Sequence, residues 1–91
     1  MAAYLSDVRA RLQRAVIYPP KARRIGLHGD IRIRMRILAD GRIDPDSVRV
    51  VGDGGHPVLI TGALETVERV VLAAPPTPLI EIIAPIQFHL E

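Results

Sequence analysis

Between Gly29 and Leu38 the sequence reads Gly-Asp-Ile-Arg-Ile-Arg-Met-Arg-Ile-Leu, with aliphatic and arginine residues taking turns. Side chains alternate faces along a strand, so Ile31, Ile33, Met35 and Ile37 share one face while Arg32, Arg34 and Arg36 share the other. On a helix the same four aliphatics would scatter around the whole circumference. One face must therefore be covered by a core and the other left in water, as antiparallel sheets allow. Asp40-Gly41 follows directly, and Asp-Gly between alternating runs is a strong hairpin signal. The rest of the chain has to supply a lid for one face of this hairpin.

Two segments have the right period to be that lid. From Ala3 to Val16, Leu5, Val8, Leu12, Ala15 and Val16 recur at spacings of three and four, one helical face, and Ser6-Asp7 would also suit the start of a shorter helix. Arg9, Arg11 and Arg14 lie off that face toward the end where positive charge complements the helix dipole, and Tyr18-Pro19-Pro20 stops the helix. Lys21 to Leu27 reads as one loose turn and a loop. After the hairpin, Pro57 suits the first turn of a second helix, or of a short lead-in turn that Thr61 re-caps. Leu59, Ile60, Ala63, Leu64, Val67, Val70 and Val71 then form a broad apolar stripe, with Glu65, Glu68 and Arg69 outside it.

The remaining pieces are extended. The return strand starts at Arg42-Ile43, loses parity at Asp44-Pro45-Asp46-Ser47, and resumes over Val48–Val51. The slip predicts a bulge, because Pro45 cannot donate to a ladder. Gly52 to Gly55 is a flexible connection, and Ala73 to Pro78 is a stiff one. Ile80, Ile82, Ala84, Ile86, Phe88 and Leu90 then share one parity, and Ile83, Pro85, Gln87 and His89 the other. The predicted architecture is α+β, a two-layer αββαβ domain with a small three-stranded antiparallel sheet and helices packed on one face.

A chain of 91 residues makes one domain, 1–91. With 48% hydrophobic residues it is not disordered by composition, and the absence of cysteine excludes disulfides and thiolate chemistry. No apolar run approaches the ~20 residues of a membrane helix and the start has no signal-peptide hydrophobic region, so the sequence predicts a soluble domain. Catalytic constellations are missing. His28, His56 and His89 have no metal-ligand spacing. Asp40, Asp44 and Asp46 lack the glycine and glutamate of a calcium loop, and Gly52-Asp-Gly-Gly55 has no lysine and no phosphate-loop spacing. Ser6 and Ser47, the only serines, sit in no nucleophile elbow. The reading is a non-enzyme with no cofactor, no metal and no small-molecule ligand.

The order Tyr18-Pro19-x-x-Ala22, Gly29-x-Ile31-x-Ile33, Asp40-Gly41-x-Ile43, Val48-x-Val50 and Ala63-Leu64-x-x-Val67 resembles the C-terminal periplasmic domain of TonB energy transducers. Ala73-Ala74-Pro75-Pro76 followed by Ile86-x-Phe88-x-Leu90 resembles the same family's close, and the likeness runs from about Leu5 to Leu90. The resemblance implies a domain that carries proton-motive force from an inner-membrane complex with ExbB and ExbD to TonB-dependent outer-membrane receptors, for uptake such as that of siderophores or iron. It would grip a receptor's Ton box as a strand added beside its own last strand. The family's membrane anchor and proline-rich spacer are not in this sequence, so the chain would be the receptor-binding part, periplasmic and anchored to the inner membrane only in a longer protein. Pro85, the glycines from Gly52 to Gly55 and the basic Arg23-Arg24 depart from the family's usual pattern.

The expectations are then specific. Ile31, Ile33, Met35, Ile37, Leu64, Val67, Val71, Ile86 and Phe88 should be buried together. The partner-binding residues implied by the resemblance and by strand addition are Tyr18, Pro19, Lys21, Arg23 and Arg24 in the loop, with Ile83, Pro85, Gln87 and His89 on the last strand. The alternative is a nucleic-acid-binding module using Arg32, Arg34, Arg36 and Arg49. Against it, sheet-type RNA binders stack bases on exposed aromatics, and this face has none, so no nucleic acid is expected as a partner.

Overall fold

The alternation at Gly29–Leu38 does become a strand, β1, and it is the middle of the sheet. In the computed structural model, which describes residues 2–52 and 55–89, the order is α1 (Ala2–Arg14), α2 (Pro20–Arg24), β1 (Gly29–Leu38), β2 (Arg49–Val50), α3 (Pro57–Arg69) and β3 (Leu79–Phe88). The sheet runs β2-β1-β3 with both pairings antiparallel. Ile31, Ile33, Met35 and Ile37 are buried against the helices, together with Val8, Leu12, Leu59, Ala63, Val67, Ala84, Ile86 and Phe88. Arg32 and Arg34 are exposed on the other face.

The hairpin turn depends on Gly41. Its φ is +91°, and a Cβ there would stand 2.5 Å from the Leu72 carbonyl oxygen, so both backbone conformation and space demand glycine. Asp40 closes the turn by accepting from the Arg42 N–H, and that backbone bond holds its carboxyl below the ordinary value.

The return strand departs from expectation. Ile37 faces Ile43 and Ile33 faces Val50, so the return strand spends three more residues than β1 over the same span. A one-residue bulge is too short for that. The extra residues form a 3-10 turn, Pro45–Ser47, capped by Asp44 Oδ1 accepting from Asp46 N. Ser47 Oγ accepts from the Arg36 N–H at 2.9 Å, which supplies the partner the ladder loses at that point. Only Arg49 and Val50 remain as regular strand.

Two other expectations need correction. Lys21 to Leu27 is more ordered than a loose turn, because Pro20 at the first helical position starts α2 and Ala22 is buried. The stripe on α3 ends early. The chain leaves the helix at Val70 (ψ 142°), and from there the period is that of an extended chain. Val71, expected in the core, is 78% exposed and Leu72 is buried in its place. Leu64 is half-buried at the core's margin.

Candidate functional site: the outer edge of β3

β3 is an edge strand, and which of its backbone groups face outward follows from β1. The Arg32 carbonyl accepts from Val51, the Arg36 carbonyl accepts from Asp44, and Leu38 N–H donates to Arg42. Even-numbered residues of β1 therefore turn their backbone toward the return strand, and odd-numbered ones toward β3. Ile31, Ile33, Met35 and Ile37 face Ile86, Ala84, Ile82 and Ile80, so these are the pairs that exchange hydrogen bonds. Glu81, Ile83, Pro85 and Gln87 alternate with them and direct their N–H and C=O groups to the open edge. Pro85, which has no N–H, sits where the β1 ladder needs no donor.

Side chains of that parity lie on the arginine face. Ile83 is 43% exposed and stands opposite Arg34. Glu81 lies between Arg34 and Arg36, at 3.8 and 3.6 Å. Asp44 approaches Arg36 as well, so the basic row is interrupted by carboxylates and carries no aromatic ring among the described residues. Among those residues no hydrogen bond engages the outward groups of Glu81, Ile83 or Pro85.

Gln87 is different, and sequence reasoning missed why. The Gln13 side chain, in the last turn of α1, donates from Nε2 to the Gln87 carbonyl at 3.0 Å. Its Oε1 accepts from the Gln87 N–H at 3.3 Å. No local pattern announces this contact, because it joins residues at opposite ends of the chain. His89, the last residue of the expected set, turns its ring to Asp30 of β1, Nε2 to Oδ1 3.1 Å.

The loop residues form a second group, joined to β3 through Tyr18. Tyr18 stands edge-on to Phe88, donates its hydroxyl hydrogen to the Leu27 carbonyl, and carries the Arg23 guanidinium 5.4 Å from its ring centre. Pro19 packs on α3 at Gly62, where a Cβ would come within 2.8 Å of the proline ring and 2.7 Å of the Ile17 carbonyl. One turn on, buried Thr66 accepts from the Ile17 N–H at 2.9 Å and donates to the Gly62 carbonyl. Tyr18 and Pro19 are thus half-buried structural anchors, while Lys21, Arg23 and Arg24 are exposed on α2.

The other candidates have structural work. His56 caps α3 by accepting from Val58 N–H, and no cluster of three metal-ligating side chains occurs among the described residues. A groove of about 480 Å³ runs between the 3-10 turn and α3, walled mainly by Ile43, Val48, Leu64 and Val67 with Arg42 and Glu68 at its margin. It lies on the β2 side, away from the β3 edge.

The profile of the Gram-negative bacterial TonB protein C-terminal region matches residues 14–90. No curated protein matches the sequence. Two solution NMR structures of the TonB C-terminal domain of Helicobacter pylori share the fold. The longer fragment superposes with a TM-score of 0.82 at 23% identity, covering 100% of this chain and 84% of that one. The shorter gives 0.75 at 24% identity, covering 97% of this chain and 95% of that one.

Proposed function

This chain belongs to the family of Gram-negative bacterial TonB protein C-terminal domains, and from that premise we propose that it captures the Ton box of an outer-membrane receptor as a strand added to β3. The family is periplasmic and non-enzymatic, made up of energy-transducer domains whose partners are outer-membrane receptors. The finer reading is that residues 1–91 form one receptor-binding domain. Through the rest of a longer protein, this domain would couple a proton-motive force gathered with ExbB and ExbD to import, of siderophores or iron among other cargo.

The observation that carries the proposal is the edge of β3, where Glu81, Ile83 and Pro85 direct unengaged backbone groups outward. Glu81 and Ile83 offer N–H donors, and Glu81, Ile83 and Pro85 offer carbonyls. Main-chain bonds of this kind give affinity, and alternate side chains give selectivity. Each is worth about 0.5–1.5 kcal/mol net, which suits a grip that must release. Ile83 and Pro85 would line the bound segment, with Gln87, held by Gln13 in the free protein, and His89 at its far end, and with Lys21, Arg23 and Arg24 supplying charge from α2 beside Tyr18 and Pro19.

The test is a titration of isotope-labelled protein with a Ton-box peptide, read at each backbone amide, with a single-stranded oligonucleotide in parallel at several salt concentrations. Shifts centred on Ile83 and its neighbours in β3 support the reading. No peptide response, together with steep salt-dependent binding of the oligonucleotide at Arg32, Arg34 and Arg49, overturns it.

A further inference from the structure

We infer that Gln13 is a built-in stand-in for a partner strand, occupying the last pairing position of the β3 edge and fixing where an added strand must stop. The inference rests on the edge reading above but has an observable of its own in the free protein.

A carboxamide is the one uncharged side-chain group that offers a donor and an acceptor as a peptide unit does. Gln13 uses both on the same residue, donating Nε2–H to the Gln87 carbonyl at 3.0 Å and accepting the Gln87 N–H on Oε1 at 3.3 Å. The orientation of the amide follows from its partners, since a backbone N–H can only donate and a carbonyl only accept. At Gln87 an incoming strand would exchange these same two bonds, so strand and Gln13 exclude one another there.

The plug is not a loose side chain. α1 is fastened by Val8 and Leu12, both fully buried. The Tyr4 hydroxyl donates to the Ala73 carbonyl and the Arg11 guanidinium to the Val71 carbonyl. Releasing Gln13 costs only its own two bonds, so the plug can open with the helix still in place. α1 also lies almost wholly ahead of the family match, which begins at residue 14.

The consequence is a register stop. In the plugged state a partner pairs with Glu81, Ile83 and Pro85 and ends before Gln87. To extend further it must displace the Gln13 carboxamide, and the longer strand gains correspondingly less. Removing the carboxamide frees Gln87 for the partner.

Amide hydrogen exchange on the free protein and peptide titration test this with Gln13→Ala and Gln13→Glu. Gln13 is exposed, and a thermal melt of each variant checks that α1 stays docked. The Gln87 amide should be protected in the parent and lose that protection in Gln13→Ala. Gln13→Glu keeps an acceptor for the N–H and should keep most of it. The peptide should bind Gln13→Ala roughly five- to a hundredfold more tightly, as expected for two hydrogen bonds no longer to be broken, with amide shifts now reaching Gln87. A Gln87 amide that exchanges equally in parent and Gln13→Ala overturns the inference. So does peptide affinity that is unchanged or weaker in that variant, including the case where it self-associates instead. If no form binds peptide, strand addition falls, and the exchange result still decides whether Gln13 is the plug.

Discussion

The Tyr18 ring meets Phe88 edge-on, with centroids 5.5 Å apart and planes at 87°, and so ties the loop before the hairpin to the last residue of β3. Phe88 is fully buried and faces Gly29 across the sheet. Phe88→Ala should destabilise the domain by about 3–5 kcal/mol through the cavity it leaves. A double-mutant cycle with Tyr18→Ala should return a coupling of about 0.5–1.5 kcal/mol for the aromatic pair. A denaturant midpoint hardly moved by Phe88→Ala would mean that the core is not built on this residue.

The Ile17–Pro19 segment is held to α3 by a space and a hydroxyl. Gly62→Ala would place a methyl group 2.7 Å from the Ile17 carbonyl oxygen, in a site walled by backbone and a rigid ring. The expected loss is about 1–3 kcal/mol by overpacking. Thr66→Val keeps the volume but strips the acceptor from the Ile17 N–H, and should cost about 1–3 kcal/mol. Both should also raise exchange at the Ile17 amide, and a stable Gly62→Ala variant would show that the segment stands off the helix.

The exposed arginines of α2 invite a kinetic test. Arg23 lies over the Tyr18 ring, and therefore near the Phe88 end of β3, and Arg24 follows it as the last residue of α2. If they steer an anionic receptor segment, Arg23→Glu with Arg24→Glu should slow association and flatten its salt dependence while leaving the melting temperature nearly unchanged. Stopped-flow rates at low and high ionic strength decide the matter. Equal rates at low salt would make these ordinary solvated charges.

How much of this was legible beforehand depends on whether the determinant is local. The Ile–Arg alternation specifies β1 because its period of two is incompatible with a helix, and Leu79–Phe88 follows for the same reason. The parity slip after Ile43 shows that the ladder is interrupted but not by how many residues. A turn of 3-10 helix and a bulge therefore look alike until Ser47 is seen meeting Arg36. Val71 and Leu72 exchange roles because the helix stops at Arg69, and valines at 70 and 71 continue a helical stripe as easily as an extended one. The Thr66–Ile17 and Gln13–Gln87 bonds span 49 and 74 residues. No spacing rule reaches that far, so the edge was legible and its plug was not.

Pro85 gives the sharpest test of which way β3 faces. Its backbone is directed outward because its partner across the sheet, Arg32, turns its own carbonyl to Val51. A residue with an N–H at this position would leave the β1 ladder untouched and add one donor to the outer edge. Pro85→Ala should therefore have a small effect on folding, a loss of about 0.4–1 kcal/mol from the freer unfolded chain. The new donor should tighten strand addition by up to about tenfold, the worth of one added bond. It should also make the domain more prone to pair with itself at high concentration, because prolines and other interruptions keep exposed edges from zipping together. Calorimetric titration with the peptide and sedimentation of the free variant measure the two effects. If Pro85→Ala gains stability by supplying a missing bond to β1, the proline faces inward. The outward set would then be Ile82, Ala84 and Ile86, and the edge assigned here would be the wrong one.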